Sequence, residues 1–243
     1  MSIARGPRIA KDGLVLCLDA ADKNSYPGSG TSFYDISGID NNSTNVNSPT
    51  FSTSNSGEFS YNGSNQYVRV PYTASLNPSS AITMESVAYR STWNTALNMR
   101  LMSKTEGGGY QLSLNEGSSL VPSGNTGVIV YLSGIGYRST YTALSGVSNG
   151  YHHFVGTFDG RYIKFYIDGV LKSTYDYGSS ASIGYHVTYY ANSLIIAAEA
   201  SGGANAAGQY FDGSIAVSRL YNTALSQAQI QNNFNAVRKR YGI

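Results

Sequence analysis

The chain has 243 residues, of which 41% are aliphatic or aromatic, enough for a sizeable core. Its 12% charged content is about half the roughly 25% usual in soluble domains, with Ser, Thr, Asn, Gly and 21 Tyr making up the difference. Many aromatics and little charge exclude disorder, and a formal net charge of +2 without a lysine–arginine stripe excludes an electrostatic nucleic-acid binder.

Residues 1–11 read as an extended lead-in and 12–243 as a single domain. The first strand is DGLVLCLDA (12–20), with Leu14, Leu16 and Leu18 on one face. Cys17 is alone, which rules out an internal disulfide, and its apolar neighbours predict a buried, inert thiol. LVLCL is too short for a signal-peptide core or a membrane span, so the expectation is synthesis in a cytoplasm and no membrane insertion.

From Asp22 to about Asn65 the chain is rich in Ser, Asn, Gly and Pro, which predicts a long surface loop with brief strands such as Glu58–Tyr61. Asp19, Asp22, Asp35 and Asp40 lie in or beside it among further side-chain oxygens. Calcium takes roughly six to eight such oxygens, which makes Asp19, Asp22 and Asp35 candidate ligands. Turn capping by short Asp and Asn side chains accounts for the same composition, and no EF-hand spacing is present.

Strands then recur at short intervals: Gln66–Val70, Ile82–Tyr89, Met99–Lys104, Tyr110–Leu114, Thr126–Leu132, Tyr151–Phe158, Tyr162–Ile167, Val170–Tyr175, Ser193–Glu199 and Tyr210–Tyr221. The most informative stretch is YHHFVGTFDGRYIKFYIDGVL (151–171). Ile163, Phe165 and Ile167 alternate with Tyr162, Lys164 and Tyr166, the period of a strand with one buried face. The pairs Asp159-Gly160 and Asp168-Gly169 suit two-residue hairpins in which both central residues take positive φ. The small-residue tracts 178–183 and 201–208 are expected to be flexible loop tips.

Trp93 in STWNTAL and the clusters Tyr131, Tyr137, Tyr141 and Tyr185, Tyr189, Tyr190 flank Gly- and Ser-rich turns. Such aromatics stack on sugar rings or fill protein interfaces, and tyrosine serves half-buried sheet faces equally well. Trp93, Tyr137, Tyr141, Tyr189 and Tyr190 are the candidate glycan- or partner-binding residues. A helix over about 226–241 is predicted by the Ser226/Gln229 capping box, the face Ile230, Phe234, Val237 and Tyr241, and the stop Gly242. Arg5 and Arg8 at one end, with Arg238, Lys239 and Arg240 at the other, are solvated termini or a docking patch for an acidic protein surface.

Three blocks, 12–38, 151–171 and YFDGSIAVSRLYNTALSQAQI (210–230), resemble the laminin-G-like jelly rolls of the concanavalin A-like lectin and glucanase superfamily. The resemblance implies an all-β, antiparallel two-sheet sandwich with a short C-terminal helix, in which the first and last strands pair and bring both basic termini to one side. The first block and the ending NNFNAVRKRYGI (232–243) are similar to single-domain proteins of tailed bacteriophages, including cyanophages. That narrower likeness implies a non-enzymatic virion surface protein, as capsid decoration or a tail- or fibre-associated adhesion module. Its partners would be other virion proteins and a host surface glycan, with no cofactor required. A free carbohydrate-binding module and a degenerate glycosidase are the alternatives. Glucanases of the superfamily place a Glu-x-Asp-x-x-Glu run on one strand, whereas none of Glu58, Glu85, Glu106, Glu116 and Glu199 has an acidic neighbour two residues away. Glu85 is lone on its strand, and the adjacent His152 and His153 point to opposite faces, where they cannot share a metal.

Overall fold

A computed structural model describes residues 8–186, 188, 191–200 and 206–243. In chain order the strands are β1 (Leu14–Asp19), β2 (Ser32–Phe33), β3 (Ser43–Val46), β4 (Thr50–Ser52), β5 (Glu58–Asn62), β6 (Tyr67–Val70), β7 (Ile82–Arg90), β8 (Met99–Lys104) and β9 (Tyr110–Leu114). They continue with β10 (Asn125–Leu132), β11 (Gly136–Ala143), β12 (Gly150–Phe158), β13 (Tyr162–Ile167), β14 (Val170–Asp176), β15 (Leu194–Ile196), β16 (Glu199–Ala200), β17 (Ala206–Gly208) and β18 (Asp212–Tyr221), and the chain ends in α1 (Gln227–Tyr241). One sheet has the order β14-β13-β12-β7-β18-β5-β4, and the other β11-β10-β9-β8-β15-β6-β3-β2. All their pairings are antiparallel, and the two sheets stack as a jelly-roll sandwich. β18 is long enough to pair with β5 through its first half and with β1 through its second, so the first and last strands do meet. Among the described residues no helix is long and apolar enough to cross a membrane.

The core follows from the alternation. Phe154, Phe158, Ile163, Phe165 and Met84 of the first sheet meet Leu112, Leu114, Val128 and Val130 of the second. Gly156 lies between them where a Cβ would sit 2.6 Å from Val128 Cγ2, so the layers approach closely only because that side chain is missing. The turn Asp168-Gly169 has positive φ at both residues, 53° and 75°, as the sequence predicts. The first Asp-Gly turn differs. Positive φ occurs at Gly160 (97°), while the Asp159 carboxylate accepts from the backbone N–H groups of Arg161 (3.0 Å) and Tyr162 (2.7 Å). Side-chain capping of the turn replaces the second left-handed residue.

The segment expected as a long loop contributes strands to both sheets and is packed on itself. Tyr26 meets Phe59 at 4.7 Å and Phe51 at 4.8 Å, and Phe33 meets Phe59 at 5.3 Å, ring centre to ring centre. The tract 178–183 is anchored too, since Ala181 donates to Gly160 O at 2.7 Å and Ile183 to Ser79 O at 2.7 Å. Of the tract 201–208, residues 201–205 lie outside the described residues.

Helix α1 covers the outer face of the first sheet. Its capping box is formed, with Gln229 N donating to Ser226 Oγ at 3.3 Å and Ser226 N to Gln229 Oε1 at 2.8 Å, and Gly242 closes it at φ 69°. Ile230, Phe234, Val237 and Tyr241 are buried as expected, and so is Asn233. Beneath the helix, register places Cys17 opposite Arg219 and Arg219 opposite Glu85, a polar row across three strands. Glu85 Oε1 accepts from Arg219 Nη1 and contacts His153 Nε2 at 2.8 Å, while Oε2 accepts from Asn233 Nδ2 at 2.7 Å. Burial alone would raise the Glu85 pKa, but the charges of Arg219 and His153 and the hydrogen bonds from His153 and Asn233 outweigh it and hold the carboxyl down at about 2. Burial pushes the Cys17 thiol up, against the pull of Arg219, in keeping with an inert thiol.

Candidate functional site

On the second sheet, Tyr110, Leu112, Val128 and Val130 point into the core, so Gln111 and Ile129 between them face outward. They floor a cavity of about 290 Å³, near the lower end of the roughly 300–1,000 Å³ usual for small-molecule sites. Tyr137 of β11 walls one side. The turn after β8 (105–109), the loop between β9 and β10 (115–124) and β16 close the others. Tyr137 is fixed in place: Gly108 N donates to its hydroxyl at 3.0 Å, and its ring packs edge-on to Tyr131 at 4.9 Å.

The acidic wall is held from behind by Arg100 of β8, which is 2% exposed. Its Nη2 donates to Glu199 Oε1 at 3.1 Å and lies 3.8 Å from Glu116 Oε1. Its Nη1 donates to Met99 O at 3.1 Å and to Asn98 Oδ1. Burial raises the Glu116 pKa and Glu199 adds to it, against the pull of Arg100 and a hydrogen bond from Ser118. Glu106 stands exposed at the rim. Gln111 is 2% exposed, and its Nε2 donates to Ser113 Oγ at 2.7 Å. Its Oε1 is buried with no hydrogen-bond partner among the described residues. A buried acceptor left unmade costs about 1–3 kcal/mol, which an incoming hydroxyl or amine would recover.

The residues singled out in the sequence fare differently. Tyr137 lines this groove. Tyr141 lies on the same face of β11, 41% exposed, directly opposite Gly127, where a Cβ would come within 2.7 Å of Tyr141 Cβ. Trp93 is a correction: it is fully buried, packs on Phe154 at 4.8 Å and donates its indole N–H to Gly150 O at 2.8 Å, so it offers no stacking surface. Tyr189 and Tyr190 lie outside the described residues, as does Arg5.

The candidate calcium carboxylates are engaged separately. Asp35 is buried and accepts from the backbone N–H groups of Cys17, Ser37 and Asn41 and from the Ser37 hydroxyl. Asp22 caps its own turn at Asn24, and Asp19 receives both terminal nitrogens of Arg240. No cluster of three or more metal-ligating side chains occurs among the described residues. Arg240 is thereby tied down and lies over Tyr241, which leaves Arg8, Arg238 and Lys239 as the exposed cations of the terminal patch. The lead-in reaches the helix through Ala10 N, which donates to Asn233 Oδ1 at 2.7 Å, so the two ends do share a side.

Gln111, Arg100, Glu116 and Glu199 are the residues that the sequence does not point to. They come from four separate elements or loops, and neither glutamate has an acidic neighbour to mark it. Glu85, the carboxylate a glycosidase reading would use, is fully buried under α1 and out of reach of any saccharide.

A search of curated protein sequences found no match. Among solved structures, the chain is similar in fold to the binding domain of Paraclostridial Mosquitocidal Protein 1 (17% identity, TM-score 0.66, covering 93% of this chain and 52% of that one). It is also similar to a botulinum neurotoxin serotype D ligand binding domain in complex with N-acetylneuraminic acid (15%, TM-score 0.64, 93% and 51%). A third is botulinum neurotoxin type C, whose cell entry depends on interaction with two ganglioside molecules (13%, TM-score 0.67, 93% and 52%). The chain spans about half the length of each of these. The family model described as the concanavalin A-like lectin/glucanases superfamily matches residues 62–231, which include the strands that build the groove and most of those that build the core. The chain therefore belongs to the laminin G branch of the concanavalin A-like lectin/glucanases superfamily.

Proposed function

We propose that this domain is a non-enzymatic recognition module that takes a saccharide in the groove on the outer face of β9–β11. The observation that carries the reading is the floor residue Gln111, whose buried Oε1 has no partner among the described residues, in a cavity that Tyr137 also lines. Polar hydroxyls meeting fixed acceptors against an aromatic wall are the chemistry of sugar recognition. The saccharide ligands of the fold relatives support the same class. The setting we propose is the surface of a phage particle, as capsid decoration or a tail- or fibre-associated adhesion module, with Arg8, Arg238 and Lys239 turned toward other virion proteins. This setting is supported by the resemblance of residues 12–38 and 232–243.

A glycan array tests the ligand class, with Gln111→Leu as the control. The wild type binds at least one saccharide, while Gln111→Leu keeps its thermal midpoint and loses the signal. A wild-type array without hits refutes the reading. Mass spectrometry of purified virions that do not contain the chain refutes the setting.

Hydrolysis has one specific observation in its favour. Glu116, whose pKa burial raises, and Glu199 both meet Arg100 Nη2 at the wall of the groove, and glycoside hydrolysis uses a pair of carboxylates. Saccharide turnover abolished by both Glu116→Gln and Glu199→Gln would establish it in place of simple binding.

A further inference from the structure

Among the described residues, the side chains lining the groove carry three carboxylates, Glu106, Glu116 and Glu199, and no lysine, arginine or histidine. The cation that pairs with Glu116 and Glu199, Arg100, lies behind the wall at 2% exposure with its terminal nitrogens already donating. Two of the lining residues, Gln111 and Glu116, each hold a buried acceptor with no partner among the described residues, Gln111 Oε1 and Glu116 Oε2. A ligand that completes this site must donate hydrogen bonds, and one that carries positive charge gains most. A carboxylate-bearing ligand meets like charge there.

Accepting the saccharide reading above, we propose that the groove selects a sugar with a free amino group, an unacetylated hexosamine, and rejects sialic acid. The ammonium sits against Glu116 and Glu199, with Glu106 at the rim, and a ring hydroxyl donates to Gln111 Oε1. A lysine side chain shares the ammonium but brings no ring hydroxyls to Gln111 and no ring face to Tyr137. The preference comes from charge-assisted hydrogen bonds in a partly enclosed site, which contribute about 1.5–3 kcal/mol each. On that basis, the amine form should bind on the order of ten- to a hundredfold more tightly than its N-acetylated counterpart.

Calorimetric titration tests this with four probes: a glucosamine oligomer, the same oligomer fully N-acetylated, a sialylated oligosaccharide and a lysine oligomer. The titrations are run at about pH 6, below the ordinary range of amines. The expected order is glucosamine oligomer first, the acetylated form weaker, and no binding of the sialylated sugar. Glu199→Gln and Glu106→Gln should each narrow the gap between the amine and acetyl forms. Because Glu106 is exposed, its variant tests the charge even where Glu199→Gln disturbs Arg100 and the fold. Equal affinity for the amine and acetyl forms overturns the charge inference and leaves the saccharide reading standing. Preference for the sialylated sugar overturns it as well. Binding of the lysine oligomer with no sugar bound overturns both.

Discussion

Replacing Glu85 by glutamine would leave the Arg219 guanidinium buried beneath α1 without the carboxylate that accepts from its Nη1. The two side chains are 0% and 3% exposed, so solvent screens neither. Removing one partner of such a pair typically costs about 3–5 kcal/mol. The depressed pKa points the same way: a fall from 4.5 to about 2 is on the order of 3 kcal/mol at neutral pH. A loss of that size is a large part of the roughly 5–15 kcal/mol by which domains are stable. The sign follows from the direction of the shift. A carboxyl depressed in the folded state contributes fully above its unfolded pKa, and that contribution fades as pH falls through about 4.5 toward 2. Urea unfolding of wild type and Glu85→Gln from neutral to acid pH should show a gap at neutral pH that closes through that window. Equal midpoints at neutral pH, or a gap that persists unchanged in acid, would refute the reasoning. Where the single variant does not fold, the double variant Glu85→Leu with Arg219→Met removes both charges together and should recover much of the loss.

Trp93→Ala should lower stability by about 3–5 kcal/mol through the cavity left against Phe154 and Phe211, a fall in thermal midpoint on the order of 10 °C, while the folded protein keeps its saccharide affinity. Lost binding with an unchanged midpoint would restore Trp93 as a contact residue. His152 titrates in the opposite sense to Glu85. Burial lowers its pKa, but the hydrogen bond and charge of Asp168 at 2.5 Å raise it further, and the net shift is upward. The stabilisation is complete below the unfolded value, about 6.5, and disappears as pH rises through the higher folded value. Low-salt unfolding of wild type should therefore weaken across mildly alkaline pH, and His152→Gln should remove that slope.

The legible parts of the fold are those with local causes. Alternation in 151–171, the left-handed pair Asp168-Gly169 and the capping box at Ser226 are each decided within a few residues, and the structure carries all three. β11 gives no such signal: as an edge strand of Tyr, Arg, Ser and Thr it is half-exposed along most of its length, so no apolar period marks it. β2 and β4 are too short for a period, and what holds them is the contact of Tyr26, Phe33, Phe51 and Phe59 across gaps in sequence, while β3 is held by its pairing with β2 and β6. Trp93 misleads for a related reason. Its neighbours are polar, which suggests a loop, yet long-range packing on Phe154 and Phe211 buries it.

The carboxylates carry the same lesson into function. Glu85 is a strand residue and Glu116 a loop residue, and each meets a buried arginine, Arg219 or Arg100. Sequence spacing treats them alike as isolated acids. What separates them is the covering of the face on which each stands. The outer face of the first sheet lies under α1, so its arginine–glutamate pair is sealed and acts on stability. Among the described residues no helix covers the outer face of the second sheet at β9–β11, and there the arginine holds two glutamates at the edge of an open cavity. The amphipathic face of residues 227–241 shows that a helix docks somewhere, but only the register of β18 against β1 and β7 shows which sheet it covers. By covering one face, the helix leaves the other open at the groove that the saccharide proposal uses.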